Sequence, residues 1–429
     1  MTSDDSRARA RPSVDDSHRR TAEASDRLEI LRRGVRLGAD GRLLRTRRLA
    51  KIMPRAGAAR GMKRAMTAMM SSGSCERPVR AMKGSKTKAK ATETPLVELG
   101  ALEECIVLRR PSARNRSPYV ADVRVMERAR IGADGEFPIA VTHVPNLDSG
   151  GKLREGTRAL CSRQPGVSPD TLGPHGTPKC ELICRLLRCE EEENADVDDG
   201  GVWVSAHPSL VETIAMRLLE RGALDDRLHP SPTVKTKGEG IKTQKMMKRE
   251  VSESASNSYR PDFAVAHEDG TTTILEVKQV VDTDYSREFV KKRAKAQAPH
   301  PVYSPKTEGP YRRAGIFPWG KRGQKGPDNE KVVSARAIDH LRELTELVSK
   351  DAKVHPAVLF ICSRGDVEGM RPNGAACPSF AKYLARAQRK GVRILVQKVR
   401  WDGKGNAYDA GPLELWPALE EGDEFVEKA

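Results

Sequence analysis

The chain has 429 residues, of which 38% are hydrophobic and 31% charged, with a formal net charge of +17. That length accommodates two domains with full cores, while the charge content predicts that part of the chain is disordered. There is no run of about 18 apolar residues, which excludes a helical membrane span, and no apolar signal segment opens the chain, which points to an intracellular protein.

The charge is unevenly placed. Residues 1–100 hold 24 Lys+Arg against 11 Asp+Glu, and the remaining residues hold 52 against 48. The basicity therefore belongs to the N-terminal stretch, and a nucleic-acid role for the folded part must rest on sites, not on net charge. Residues 1–95 are rich in Arg, Ser, Ala and Lys and poor in aromatics, and they read as a disordered basic tail. Arg42 to Cys75 contains no acidic residue, a composition that also suits an organelle (plastid or mitochondrial) transit peptide starting at Met53. A basic tail with no address and a nuclear signal are the other readings.

Patterning begins near Leu96. Alternating segments at Cys105–Leu108, Tyr119–Val125 and Phe137–Val144, separated by turn residues, predict a small β domain over 96–190, most simply a barrel. Eight cysteines lack paired spacing; Cys180, Cys184 and Cys189 cluster without a partner at zinc-site spacing, so reduced thiols are expected. Val202–Ser205 is one more strand. Ser209-Leu-Val-Glu212 reads as a capping box for a helix with Ile214, Leu218 and Leu219 on one face and Gly222 at its end. Arg227 to Lys245 reads as a loop.

A second domain, over 200–418, alternates strand and helix. Strands are expected at Asp262–Ala266 and Thr272–Val280, then a helix at Val333–Ser349 with Ala337, Leu341, Leu344 and Val348 on one face. A strand at Ala357–Cys362, a helix at Ser379–Lys390 stopped by Gly391, and a strand at Val392–Val399 complete an α/β sandwich pattern. The Lys-, Arg- and Pro-rich stretch 282–329 reads as a long mobile insertion loop.

Between the first two of these strands the sequence is R-P-D-F-A-V-A-H-E-D-G-T-T-T-I-L-E-V-K-Q-V. Period-two geometry puts Glu276 and Lys278 on one face. A two-residue Asp269-Gly270 loop would send Asp262 to the other face. A three-residue Glu268-Asp269-Gly270 loop, with glycine at the left-handed position, sets Asp262 opposite Glu276 and leaves Phe263, Val265, Leu275 and Val277 facing the core. We adopt the second. Two carboxylates and an ammonium on one pleated surface suit a hard divalent cation such as Mg²⁺, or Mn²⁺, whose bound water and substrate phosphate complete the shell. Lys278 would position or deprotonate that water, or stabilise the developing oxyanion. Asp351-Ala-Lys353 and Asp402-Gly-Lys404 match the same short pattern without a preceding Pro-Asp strand. Taken alone, the hairpin reads first as a solvated face with cross-strand ion pairs, and the metal site is the second reading.

The order P-D-F…L-E-V-K…F-P…H-L-R-E-L…A-V-L-F…A-R-A-Q-R-K-G-V-R-I-L resembles the sugar fermentation stimulation protein (SfsA) family. Arg114–Val123, ending Y-V-A-D-V, resembles that family's first basic strand; Val144-Pro-Asn146 with Gly150 and Gly156 resembles its Pro-Asn turn; Lys248-Arg-Glu-Val251 resembles the segment before its Asp strand. The resemblance implies an OB-like β-barrel followed by a PD-(D/E)xK nuclease-like α/β domain. It places Asp262, Glu276 and Lys278 on the nuclease-type motif, with Glu250 as an extra carboxylate from the first helix. It also implies DNA binding, and in bacterial members control of sugar use. The family's Gln-Lys-His before the Leu-Arg-Glu-Leu helix is replaced by Ile338-Asp339-His340, which removes two polar groups and reverses one charge.

Three functional readings follow. The first is DNA binding, with single-stranded or structured DNA held on Arg114, Arg116 and Arg124 of the OB-like domain. Aromatics are only 4% of the chain, so contacts to the phosphate backbone would dominate over base stacking. The second adds Mg²⁺-dependent hydrolysis of phosphodiester bonds by Asp262, Glu276 and Lys278. The third is a non-catalytic interaction or regulatory role.

Overall fold

The structure, a computed structural model, describes residues 94–127, 131–132, 135–146, 149–189, 201–244, 246–247, 260–295, 301–306, 309–420 and 425–426. The basic tail up to residue 93 and Glu250 lie outside the described residues.

Five strands form the first domain: β1 (Glu103–Arg109), β2 (Val120–Val125), β3 (Ile139–His143), β4 (Arg158–Arg163) and β5 (Leu182–Cys189). The antiparallel pairs are β1–β2, β2–β3, β1–β4 and β4–β5, and a parallel β3–β5 pairing closes the barrel. A five-stranded closed barrel is consistent with an OB-like fold. Alternation along each strand turns Cys105, Val107, Val123, Cys161, Cys184 and Leu187 into the interior, all nearly inaccessible to solvent. All seven cysteines among the described residues carry free thiols.

The barrel sheet runs on through β6 (Val202–Ser205), which pairs with β5, into the second domain. Helix α1 (Ser209–Glu220) and the single turn α2 (Asp225–Leu228) follow, then β7 (Thr236–Thr243), β8 (Phe263–His267), β9 (Thr272–Val280) and the two-residue β10 (Asp282–Thr283). Next come α3 (Arg287–Lys295), β11 (Ala314–Phe317), α4 (Ala335–Lys350), β12 (Val354–Cys362) and β13 (Gly369–Pro372). The last elements needed for the site are α5 (Pro378–Lys390), β14 (Arg393–Trp401), β15 (Asn406–Pro412) and β16 (Glu414–Leu415). The main sheet has the order β7-β8-β9-β12-β14-β15, parallel across β9-β12-β14 and antiparallel toward both edges.

Strand β12 shows why this sheet is covered on both sides. Its Val-Leu-Phe-Ile-Cys run is apolar at every position, as a strand buried on both faces requires. Ala357, Leu359 and Ile361 pack with Phe263, Leu275 and Val277 under α1. Val358, Phe360 and Cys362 pack beneath α4 and α5, whose Leu341, Leu344, Phe380 and Leu384 point inward. Each fully buried Leu or Phe contributes about 1.5–3 kcal/mol. Helix α5 begins with Pro378 and ends at Gly391 in the left-handed conformation (φ 108°), whose N–H satisfies Ala387 and Gln388 carbonyls.

Three local expectations are corrected. The capping box does not form: Pro208 in helical conformation is the N-cap of α1, and Ser209 Oγ instead meets His207 Nδ1 at 2.8 Å. The Arg227–Lys245 stretch is not all loop, because it contains β7, an edge strand on β8. The 282–329 insertion is not structureless: β10 and β11 join β13 and β16 in a second small sheet, and α3 packs through Phe289 and Val290. Among the described residues no helix is long and apolar enough to cross a membrane.

Candidate functional site

The β8–β9 hairpin sets the site. Its register pairs Ala266 with Thr272 and Phe263 with Leu275, so the loop is the three-residue Glu268-Asp269-Gly270, with Gly270 at φ +81°. Asp269 Oδ1 accepts hydrogen bonds from the Thr271 amide and hydroxyl and locks the turn. One residue beyond the last paired position, Asp262 comes opposite Glu276.

Two environments meet there. On β9, Ile274, Glu276, Lys278 and Val280 face α4, while Leu275 and Val277 face α1. Asp262 is drawn along the margin of the sheet: its Oδ2 accepts the Val277 N–H at 2.8 Å, an amide that β8 no longer satisfies with a carbonyl. It also lines a cleft of about 450 Å³ with Glu212 and Arg217 of α1 and Gln244 beyond β7. Burial, then the charge of Glu276, pushes the Asp262 carboxyl up to about 6.

Glu276 is almost completely buried and makes the opposite kind of carboxylate. Burial acts to raise it, but the hydrogen bond from His340 and the charge of Lys278 outweigh burial and hold it below the usual carboxylate range. Lys278 Nζ lies 2.5 Å from Glu276 Oε1, and His340 Nδ1 bonds to the same oxygen. His340 projects from α4, whose first amide, on Ala335, is capped at 2.8 Å by the Gln324 side chain from the insertion. Arg336, one turn earlier, donates from Nε to His340 Nε2 at 3.2 Å.

Among the described residues no three His, Cys, Asp or Glu side chains converge as a metal-ligand set. Asp262 and Glu276 are thus a pair, to which Glu250 is not added here because it lies outside the described residues. The first helix, α1, carries Glu212 instead, on the wall of the Asp262 cleft. The two other acid-x-lysine matches are turn caps: Asp351 Oδ1 accepts the Lys353 amide, and Asp402 Oδ1 accepts those of Lys404 and Asn406. A second cleft of about 280 Å³ opens beside the C-terminal end of β9, lined by Gln279, Asp282, Trp319 and Ser334 and, from the barrel, Asn146. Ligands of open α/β sheets gather at such strand ends.

Of the basic candidates, Arg114 and Arg116 are exposed on the β1–β2 loop and Arg124 is half-buried on β2. The loop is built around the buried Asp122, which accepts from Ser112 Oγ at 2.5 Å and the Ala113 amide at 2.8 Å. Ser112 Oγ in turn accepts the amides of Arg114 and Asn115. Arg114 lies 3.7 Å from Glu181, an ion pair with one exposed partner and of small energetic weight. Tyr119, 42% exposed, stands at the end of the same loop. The sequence shows Tyr119 and His340 within its motifs but does not mark either as a site residue.

These features define a two-module chain, a small closed β-barrel hydrogen-bonded into an α/β sandwich whose inner strand carries an acid–lysine pair. Residues 327–405, from the approach to α4 through β14, match the family model of the sugar fermentation stimulation protein RE domain. Through this segment the chain is similar to the sugar fermentation stimulation protein (SfsA) family. A sugar fermentation stimulation protein homolog of Thioalkalivibrio sulfidiphilus is 40% identical over 74 residues, which is 17% of this chain and 30% of that protein. A homolog of Thermosynechococcus vestitus is 30% identical over 74 residues, 17% of this chain and 31% of that protein. The match thus spans less than a third of either relative. Among solved structures, Pyrococcus furiosus SfsA in complex with Ca²⁺ aligns with 75% of this chain and 99% of its own, at TM-score 0.46 and 18% identity.

Proposed function

We propose that this protein binds DNA and carries a nuclease-type divalent-metal site at Asp262 and Glu276. The observation that carries the reading is the hairpin register, which sets a buried, ionised Glu276 beside Asp262 closely enough for its charge to raise the Asp262 carboxyl, with Lys278 on the same strand. Two adjacent carboxylates repel each other, and a cation relieves that repulsion. The donor set is all oxygen and small in number, as Mg²⁺ prefers when waters and substrate phosphate fill the remaining positions; Mn²⁺ accepts the same ligands. Asp262 enters from the α1 cleft and Glu276 from the α4 face, and between them they would hold the ion at the margin of the sheet. Arg114 and Arg116 on the barrel loop, with Arg124 behind them, would contact the DNA backbone, and the exposed Tyr119 offers one stacking surface for an unpaired base.

Hydrolysis of phosphodiester bonds is the second reading, favoured by the intact Glu276–Lys278–His340 cluster. When bound, the metal would acidify a water and neutralise charge on the scissile phosphate. Lys278 would stabilise charge growing on the phosphate oxygens, and Glu276 would keep that ammonium in place.

The test measures binding of labelled single-stranded, duplex and branched DNA by fluorescence anisotropy, followed by cleavage of the same substrates in Mg²⁺ or Mn²⁺. Wild type is compared with Asp262→Asn, Lys278→Met and Arg114→Ala/Arg116→Ala. Binding lost in the arginine variant alone, with cutting lost in the other two, is expected if both readings hold. Binding without cutting by any protein leaves the DNA-binding reading alone. No binding by wild type at low salt refutes both.

A further inference from the structure

Glu276, Lys278 and His340 meet at a single oxygen, and the hydrogen inventory of the histidine decides how. Lys278 Nζ lies 3.1 Å from His340 Nδ1 as well as 2.5 Å from Glu276 Oε1. An ammonium only donates, so a Lys278–His340 hydrogen bond would need an unprotonated Nδ1. That nitrogen, however, also bonds to the Glu276 carboxylate, which only accepts and so needs an N–H there. The two demands are incompatible, and the far side of the ring resolves them. Arg336 Nε is a donor with no lone pair, and it points at His340 Nε2 from 3.2 Å. Nε2 must therefore be the acceptor, and the single hydrogen of the neutral ring sits on Nδ1. A doubly protonated ring would aim an N–H at the guanidinium, which the same contact opposes.

From this we infer that His340 is a positioning residue for the candidate site, held by Arg336 as the Nδ1–H tautomer so that it donates to Glu276 Oε1 and fixes the carboxylate's rotation. Lys278 then donates to the same oxygen, not to the ring. The fold supplies each part. Arg336 and His340 are four residues apart and so lie on one face of α4. The Gln324 cap anchors the start of that helix, and Ala337, Ile338 and Leu341 on the adjoining face bury it against the sheet. Arg336 itself is exposed and His340 is nearly buried, with its side chain 12% accessible. The guanidinium thus sets a buried hydrogen from the surface, as outer partners orient ligating histidines in metal sites.

The inference rests on reading Glu276 and Lys278 as the reactive pair only for its effect on catalysis; the tautomer stands apart from it. Nitrogen-15 NMR of the full-length protein reads the tautomer directly, with Nδ1–H expected in wild type and a mixture in Arg336→Met. An Nε2–H ring in wild type, or an unchanged spectrum in Arg336→Met, overturns the inference. Side-chain mimicry supplies the second arm. The Asn amide nitrogen occupies the place of Nδ1 and that of Gln the place of Nε2, so His340→Asn keeps the donor to Glu276 and His340→Gln does not. The carbon-13 resonance of the Glu276 carboxylate should match wild type in His340→Asn and move in His340→Gln, whether or not any metal binds. If wild type cuts DNA, His340→Gln and Arg336→Met should lose about 10–100-fold in turnover and His340→Asn should retain it. Equal carboxylate resonances in the two His340 variants refute the positioning role, and absence of cutting by wild type refutes only the hydrolytic reading.

Discussion

Replacing Asp262 by Asn should make the protein more stable at neutral pH while leaving DNA binding intact and removing any metal-dependent cutting. Burial, followed by the charge of Glu276, raises the folded-state Asp262 carboxyl from 3.8 to about 6. A folded-state pKa above the unfolded one means that the native state favours the protonated acid. The stabilisation from that proton is complete below about pH 4 and is lost as pH rises through about 6. Roughly two units at about 1.4 kcal/mol each put the cost of the ionised carboxylate at neutral pH at up to about 3 kcal/mol. Asn stays neutral throughout, and its carbonyl oxygen still accepts the Val277 N–H. Wild type and Asp262→Asn should therefore melt together near pH 4 and separate above pH 6, with the variant higher by about 6–10 °C for a domain of this size. Scanning fluorimetry from pH 4 to 8 measures the gap, and Mg²⁺ titration adds a control. If the carboxylate pair holds the ion, Mg²⁺ at about 100 times its Kd restores about 2.7 kcal/mol to wild type alone and closes the gap. A variant that is less stable at pH 7.5, or a difference that does not change between pH 4 and 7, refutes the reasoning.

Three further outcomes are expected. Lys152 and Asp282 form a buried ion pair between the barrel and the α/β domain; Lys152→Met should cost about 3–5 kcal/mol in chemical denaturation, and Lys152→Met/Asp282→Leu should recover most of it. Gly270 has φ +81° with open space around it, so Gly270→Ala should cost about 1 kcal/mol through backbone strain alone and leave DNA binding unchanged. Arg116→Ala should weaken DNA binding across all sequences and reduce the slope of log affinity against log salt by about 1, measured by anisotropy between 50 and 200 mM salt.

What the sequence reveals and what it hides follow from the range of the forces involved. The β8–β9 register is legible because a left-handed glycine and a loop count determine it locally. Helices α4 and α5 are legible from apolar spacing, and α5 also from Pro378 and Gly391. Strand β7 is not: Thr236–Thr243 reads T-K-G-E-G-I-K-T, buries only Ile241 fully or in part among its apolar residues, and holds its place by pairing with β8. Strands β4 and β5 interleave arginines and cysteines with leucines, and barrel closure decides which face each takes. The insertion hides strands of two to four residues, too short for a period to show. His340 was visible as part of a family pattern, but its contact with Lys278, 62 residues away, comes from packing α4 on the sheet.

That packing also changes the meaning of the departure at Ile338-Asp339. On sequence, losing a Gln-Lys pair beside the acid–lysine motif takes two polar groups away from the chemistry. In the fold, Ile338 is fully buried in the core beneath α4, among Val358, Phe360 and Leu341. Asp339 is exposed and lies 3.5 Å from Arg342, its neighbour one turn on. Neither side chain is directed at Glu276 or Lys278; the residue that reaches them from this helix is His340. A polar group at position 338 would sit in an apolar core and need a partner there, whereas isoleucine adds packing under α4. The substitution therefore exchanges a polar group for core stability and leaves the Arg336–His340–Glu276–Lys278 chain of contacts complete. Its effect on any hydrolytic step has to be sought in the substrate or the second cleft at the end of β9, where Ser334 and Gln324 line the approach to α4.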